Sequence, residues 1–432
     1  MPPTLVCLVP SDKKILKPRL FSLKAGLPLL LTVILLLSAL FGCASNARNS
    51  FGNLPLSSLE PLAPNASAQT KALWAAKVIE EGKTNSYAQA LHTAKTLAET
   101  GNSDAMYALG LAYLSGKGVE KDCKSALEWF YRSAELKNQL AEYRLGQRYD
   151  QGDCLPADLV KAMEYYTLAA QRGLPQAQYN LAVAYSRGDG VAKDDSLAVY
   201  WYEKAARQGY SRAIYNLATR YASGKGVKQS SSKALDLYTE AAQDGLPEAQ
   251  LTLGSLYLHD NDGHIVKKDE ALGLFWLNEA AESNNAKAQL LLAQCYEKGL
   301  GVKKNVEIYL LWLRKAAINQ DKEAQFILAT LHDRGEYLPQ NHKTAVHWYM
   351  PAAKLGHPLA MYNLAMSYSR GEGIKQNYLE AYFWAGLAKR LGVKQADALL
   401  GALKNLLPAG QVKKLETKIE QWQPEAATSK TI

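Results

Sequence analysis

Apolar and polar positions along residues 104–392 recur on a fixed period of about 36 residues. In the unit Gln176–Gly209, Leu181 and Tyr185 stand four apart and share one face of a first helix. The small Ala182 beside them lets a second helix approach closely. Gly188 and Gly190 then supply backbone angles that residues with a Cβ avoid, so the chain turns there. Asp194, Asp195 and Ser196 suit the N-cap and first turn of a second helix. Ala198, Trp201, Tyr202, Ala205 and Ala206 fall at helical spacing and give that helix its apolar face, and Gly209 ends it. Such a two-helix hairpin cannot bury both of its faces alone, so units must stack.

The same residue types return in phase eight times. Thirty-six residues on, the unit reads Leu217-Ala218, Tyr221, Gly224-Lys225-Gly226-Val227, Ala234, Leu237-Tyr238 and Ala241-Ala242. The fifth unit departs from this, with an irregular loop after Tyr257 that adds three residues. In the seventh, His332 takes the tyrosine slot, where a satisfied packing histidine is expected. No strand pattern appears. The expected architecture is all-α: a right-handed α-solenoid of stacked two-helix repeats with a concave inner surface. Residues 71–103 hold weaker phase and read as a degenerate N-terminal cap, 104–392 as eight repeats, and 393–432 as C-terminal capping helices and a tail. Pro408 suits the start of the last helix.

The recurring Leu-Gly-x-x-Tyr, Gly-x-Gly-Val and Trp-Tyr-x-x-Ala-Ala residues resemble the Sel-one-like repeat (SLR) family, relatives of the tetratricopeptide repeats. The resemblance implies an adaptor that binds proteins rather than an enzyme. Some lipid-anchored members assist exopolysaccharide export across the outer membrane. Some secreted, cysteine-rich members are assigned activity on cell-wall or β-lactam substrates. Those carry a cysteine pair in nearly every repeat, and this chain does not.

The N-terminus changes the charge picture. The formal net charge is +9, and residues 1–42 hold five basic side chains against Asp12, which leaves +5 beyond them (9 − 4). No basic run exceeds two residues, so neither nucleic acid nor a polybasic membrane patch is indicated. The apolar run 26–42 follows a basic segment and precedes Cys43, as in a secretory signal. Leu40-Phe41-Gly42-Cys43 resembles a bacterial lipobox, which implies a lipidated Cys43 followed by a tether over 43–70. The alternative is an uncleaved anchor, for which about 17 residues lie at the short edge of a membrane span. Ala44, rather than Asp, implies by the same resemblance the outer membrane, facing the periplasm.

Candidate chemistry is sparse. Cys123 opens the second helix of repeat one and Cys154 replaces the second turn glycine of repeat two. Neighbouring turns of a solenoid lie side by side, so the two either bond in an oxidising compartment or stay free thiols. Cys295 reads as a small buried residue. His259 and His264 flank Asp260-Asn261-Asp262-Gly263; a metal loop would need further oxygen ligands and a terminal Glu, so a solvated turn is expected. His342 and His347 lie five apart, off the spacing that aligns ligands on a helix. The Trp-Tyr pairs, such as Trp201-Tyr202 and Trp348-Tyr349, read as packing residues rather than a stacking ladder. The Gly-x-Gly turns join helices and lack the Lys-Ser/Thr of a phosphate loop. No catalytic, cofactor-binding or metal-binding residue is assigned. The expected partners are envelope proteins held in the concave groove, and the membrane through the lipid. The alternatives are a glycan-binding solenoid and, further off, a cell-wall or β-lactam hydrolase.

Overall fold

The computed structural model describes residues 66–81, 86–259 and 266–425, all of them in the larger of two units of the chain, 50–432. The signal segment, Cys43, the loop with His264 and the last residues of the tail lie outside the described residues. Among the described residues there are twenty helices and no strand. None of these helices is long and apolar enough to cross a membrane.

The N-terminal pair is α1 (Ala68–Glu81) and α2 (Tyr87–Glu99). Eight hairpins follow: α3 (Ser103–Ser115) with α4 (Cys123–Glu135), α5 (Gln139–Gln151) with α6 (Leu159–Gln171), α7 (Pro175–Arg187) with α8 (Asp195–Ala206), and α9 (Ser211–Ser223) with α10 (Ser231–Gln243). The next are α11 (Pro247–Leu258) with α12 (Glu270–Glu282), α13 (Ala286–Lys298) with α14 (Val306–Ile318), α15 (Lys322–Arg334) with α16 (His342–Lys354), and α17 (Pro358–Arg370) with α18 (Tyr378–Arg390). The chain closes with α19 (Ala396–Lys404) and α20 (Ala409–Gln421). Each second helix packs on its own first helix and on the first helix of the next hairpin, which makes the stack an α-solenoid.

Local chemistry explains why the hairpins are alike. All eight second helices begin at Asp, Asn or Ser, whose side chain accepts from the first-turn amides; in α8 Asp194 takes Ser196 N–H and Leu197 N–H. That cap residue also donates its own N–H back to the carbonyl of the tyrosine slot, as from Asp194 to Tyr185 at 2.9 Å. The same bond closes the irregular fifth hairpin, from Asp269 to Tyr257 at 2.9 Å, so three extra residues do not disturb the frame.

Between repeats, the second turn glycine sits against the start of the preceding second helix. A Cβ on Gly226 would lie 2.1 Å from the carbonyl oxygen of Asp195, and one on Gly373 would lie 2.2 Å from that of His342. Both glycines also have positive φ, so two independent reasons exclude a side chain there.

A buried glutamine joins the repeats from the other side. Gln178, Gln250, Gln289 and Gln325, each the fourth residue of a first helix, donate Nε2–H to a carbonyl at the end of the preceding second helix. Those acceptors are Ala170, Ala242, Ala281 and Ala317, at 2.9–3.1 Å. Helix ends leave such carbonyls without partners, and the glutamine supplies one.

The two ends of the stack are sealed differently. At the N-terminus α1 lies along α3 and buries Trp74, Val78 and Ile79, so α3 is apolar all round. At the C-terminus α20 crosses α18 at Gly386, where any Cβ would collide with Ile419. Arg390 then donates to the carbonyls of Ile419, Glu420 and Trp422, and the Glu425 N–H reaches the Lys354 carbonyl at 2.9 Å.

Candidate functional site

In repeats two to eight the fifth and sixth residues of the first helices form a row along the stack, half-buried except for the buried Leu290; in repeat one these positions, Tyr107 and Ala108, belong to the core. In repeats two to four this row is polar and aromatic: Tyr143-Arg144, Tyr179-Asn180 and Tyr215-Asn216, all half-buried. Arg144 is held by three partners: its guanidinium pairs with Glu80, donates to Tyr107 Oη at 3.3 Å and reaches Gln147 at 3.0 Å. Asn216 donates to Tyr202 Oη at 3.3 Å and lies 3.4 Å from Tyr179 Oη. In repeats five to seven the row becomes largely apolar: Leu251-Thr252, Leu290-Leu291 and Phe326-Ile327. A cavity of about 370 Å³ opens there, lined by Leu251, Thr252, Ser255, Leu256 and His259.

Behind the row lies a second one, contributed by the buried eighth residue of each second helix, aromatic in repeats one to four and seven. Tyr202 and Tyr349 receive a hydrogen bond from an asparagine fourteen residues on, Asn216 and Asn363. Tyr166 bonds Asp150 Oδ2 at 3.2 Å and is also hydrogen-bonded by Asn180. Tyr349 lies against Thr330, at 3.4 Å, and Asp333, at 3.3 Å; the other Asp333 oxygen meets His342 Nδ1 at 2.8 Å. Burial is the main cause that pushes the Tyr349 hydroxyl up to about 12. In repeats five and six the buried position is Leu277 and Leu313, and the residue fourteen on is Leu291 and Ile327. Tyr166, Tyr202 and Tyr349 thus meet an asparagine, Tyr238 has Thr252 at that offset and bonds Thr219 at 3.2 Å instead, and leucine meets an aliphatic side chain. This pairing was overlooked in the sequence, although the offset of fourteen is visible there.

The structure bonds Cys123 to Cys154, with Cα atoms 5.4 Å apart and the two positions 31 apart in sequence. Asp195–Gly226 and His342–Gly373 have the same offset. The disulfide therefore occupies the place where other repeats press a glycine against the helix above. Cys154 also keeps the positive φ of the glycine it replaces. Asp153 stands next to the two sulfurs, and this is the one three-group cluster with metal-ligating atoms among the described residues. With both thiols bonded it offers no thiolate. Cys295 is buried and free, and desolvation pushes its thiol up to about 11.

Two expectations need correction. His332 is only half-buried, and its Nδ1 has no hydrogen-bond partner. The imidazole is shorter than the phenol it replaces, and Tyr149, in the equivalent slot, reaches far enough to bond Tyr131 Oη at 2.8 Å. The Trp-Tyr pairs are also not packed alike. Phe130, Tyr166, Tyr202 and Tyr349 are buried, whereas Trp129, Tyr165, Trp201 and Trp348 are half-buried. Adjacent helical residues diverge by about 100°, so only one of each pair can face the partner helix. The partly open Trp129 is nonetheless occupied, with Arg132 over it at 4.4 Å, and Lys315 lies over the buried Trp312 at 3.9 Å. His347 is exposed against Trp348, and His259 ends α11 at the edge of the cavity.

Stacked two-helix units joined by a repeated set of turn, cap and glutamine contacts define an α-solenoid of the protein-interaction class. The chain belongs to the Sel1 repeat family, whose pattern matches residues 103–138, 139–174, 175–210, 211–246, 247–285, 286–321, 322–357 and 358–393. Each match begins at the first residue of a first helix. Among solved structures it is similar to a Sel1 repeat protein of Oxalobacter formigenes, at 26% identity over 82% of this chain and 99% of that one, with a TM-score of 0.58. It is also similar to a protective antigen of uropathogenic Escherichia coli with an SLR fold, at 27% identity over 82% and 84%, TM-score 0.48. An immunity protein of Pseudomonas aeruginosa aligns at 24% identity over 50% and 80%, TM-score 0.37. No curated protein sequence matches the chain significantly. Proteins built of this repeat are in general non-enzymatic scaffolds that bind other proteins.

Proposed function

We propose that the chain is a lipid-anchored envelope scaffold that holds a partner protein against the row formed by its first helices, in envelope or exopolysaccharide assembly. One observation carries the reading: the row changes from tyrosine with arginine or asparagine in repeats two to four to leucine, phenylalanine and isoleucine in repeats five to seven, and returns to Tyr362-Asn363 in repeat eight. A surface patterned in this way reads an extended or helical partner over several units, each supplying a different side-chain chemistry. The disulfide supports an oxidising compartment, since cytosolic thiols are kept reduced. The envelope location rests on the signal-like segment and Cys43. Glycan stacking has less support, because the ring faces of Trp129 and Trp312 are already covered by cations of their own helices.

The test places photo-crosslinking residues at Asn180 and Ile327 of the full-length protein in its own host. The expected outcome is one envelope protein crosslinked from both positions and lost in a Leu291→Arg/Ile327→Arg variant. Failure to enrich any protein, with the chain correctly anchored, would sink the reading and bring glycan arrays forward.

A further inference from the structure

The N-cap of α17 is a histidine. At the same place the first helices of repeats one, two, six and seven are capped by Asn102, Asn138, Asn285 and Asp321, whose side-chain oxygen accepts from the third-residue amide. In repeat eight the acceptor is a ring nitrogen: the Ala360 N–H donates to His357 Nδ1 at 3.1 Å. A ring nitrogen accepts only through its lone pair, so the neutral ring carries its proton on Nε2, which donates to Glu323 Oε2 at 3.0 Å. The ring is 6% exposed and stacks on Phe326, with centroids 4.3 Å apart and planes 19° apart. Glu323 and Phe326 both belong to α15 of repeat seven. His357 is therefore a bridge: Nε2 holds repeat seven, and Nδ1 holds the start of repeat eight.

We propose that this bridge is a pH-operated joint between repeats seven and eight, opened when His357 takes up a proton. Imidazole is the side chain that ordinarily gains its charge between pH 8 and pH 5. An imidazolium has two N–H donors and no acceptor, so the bond from Ala360 cannot survive in any orientation of the ring. The surroundings push and pull in one direction. The N-terminus of α17 repels a cation, and its first turn has no acidic side chain to offset that. On α15 the charged ring keeps Glu323, now in a charge-assisted bond, and keeps the Phe326 face. Also charged on the elements packed here are Lys322, exposed beside Glu323, and Lys354 at the end of α16, which pairs with Glu425 at 3.2 Å. Protonation thus leaves the ring on repeat seven and uncaps repeat eight. The sign follows: the cap is present while the ring is neutral and is lost as pH falls through its titration. The asparagine caps elsewhere in the stack do not titrate. The joint is independent of what the first-helix row binds.

The test is hydrogen exchange of the full chain, read by mass spectrometry at pH 7.5 and pH 5 and corrected for the intrinsic effect of pH on exchange. Protection over the first turn of α17 is expected to fall about fivefold at pH 5, the size of effect that a lost N-cap produces. The first turn of α13, capped by Asn285, should stay level. His357→Asn installs the cap of α13 and should keep α17 protected at both pH values. His357→Ala should leave it poorly protected at both. Glu323→Gln should move the midpoint of the fall to lower pH, because the charged ring loses its anionic partner; a histidine that served only as packing would not respond in this way. Protection of α17 that does not change with pH in the unmodified chain overturns the proposal, and so does a fall that persists unchanged in His357→Asn.

Discussion

Repeats two to four and repeats five to six solve one packing problem with opposite chemistries. Both must fill the space between a second helix and the first helices on either side of it. Around Tyr202 the filling is a phenol whose hydroxyl is met by Asn216, and around Tyr166 by Asp150 and Asn180. Around Leu277 and Leu313 it is hydrocarbon throughout, facing Leu291 and Ile327. Repeat seven returns to the polar solution with Tyr349 and Asn363. A stacked fold permits the change because each unit touches only its neighbours, so the choice is made interface by interface. A mismatch is costly, since a buried polar group without a partner loses more than the hydrogen bond it replaces gains.

The largest effect should come from breaking the polar interface with the residue that suits the apolar one. Tyr349→Leu removes a fully buried ring and leaves Asn363 without its acceptor; a loss of about 3 kcal/mol is expected, confined to repeats seven and eight. Adding Asn363→Leu should restore about 1 kcal/mol, because the orphaned amide is then gone. Hydrogen exchange resolved by repeat is the suitable measurement, since a solenoid need not unfold in one step. Additive costs in the double variant would show that the two positions are not coupled.

The reverse exchange is smaller. Ile327→Asn sets an amide beside Leu313, which offers no partner, and should cost about 2 kcal/mol in repeats six and seven. The half-buried site lets part of the amide reach water, which is why the cost stays below that of Tyr349→Leu. A thermal melt unchanged to within about 1 °C would mean that the apolar interface is indifferent to polarity, and the contrast between the two regions would lose its physical basis.

Much of this was open to a reader of the sequence, and the gaps have a physical origin. Gly188, Gly190, Asp194 and Gly209 announce the hairpin because turns and caps are local: the backbone angle or the first-turn bond is decided within four residues. Contacts between repeats are not local, and they show only as offsets of 14, 30 or 31 residues between positions that look unremarkable alone. The spatial argument about neighbouring turns singled out Cys123 and Cys154; the shared 31-residue offset with the glycine contacts gives the reason. The shortfall of His332 was hidden because side-chain length, not hydrophobic phase, decides whether a ring nitrogen finds a partner. The exposure of Phe275 against the burial of Phe383, each the sixth residue of a second helix, was hidden too, since it depends on where α20 lands, and Gly386 reveals that only beside its neighbours.

The smallest effect concerns the buried glutamine, where a third offset applies. The fourth residue of a first helix meets a residue thirty positions on: Glu142 takes both Arg172 contacts at 2.9 Å, Gln178 meets Gln208 at 2.9 Å, and Gln289 meets Asn319 at 2.9 Å. In repeat seven the partner of Gln325 is Leu355, and the Gln325 Oε1 has no hydrogen bond although its amide is spent on Ala317. Replacing that leucine by asparagine copies the Gln289–Asn319 pair onto Gln325. Leu355 is half-buried and sits at the C-cap of α16, a place where asparagine is accepted, so little packing is lost. Leu355→Asn should therefore raise the stability of repeat seven by about 1 kcal/mol, the net value of one hydrogen bond to an otherwise orphaned acceptor. Exchange of the Gln325 amide and its helical neighbours should slow about fivefold. Unchanged or faster exchange would mean that Oε1 already finds water and that the thirty-residue pairing reflects shape rather than hydrogen bonding.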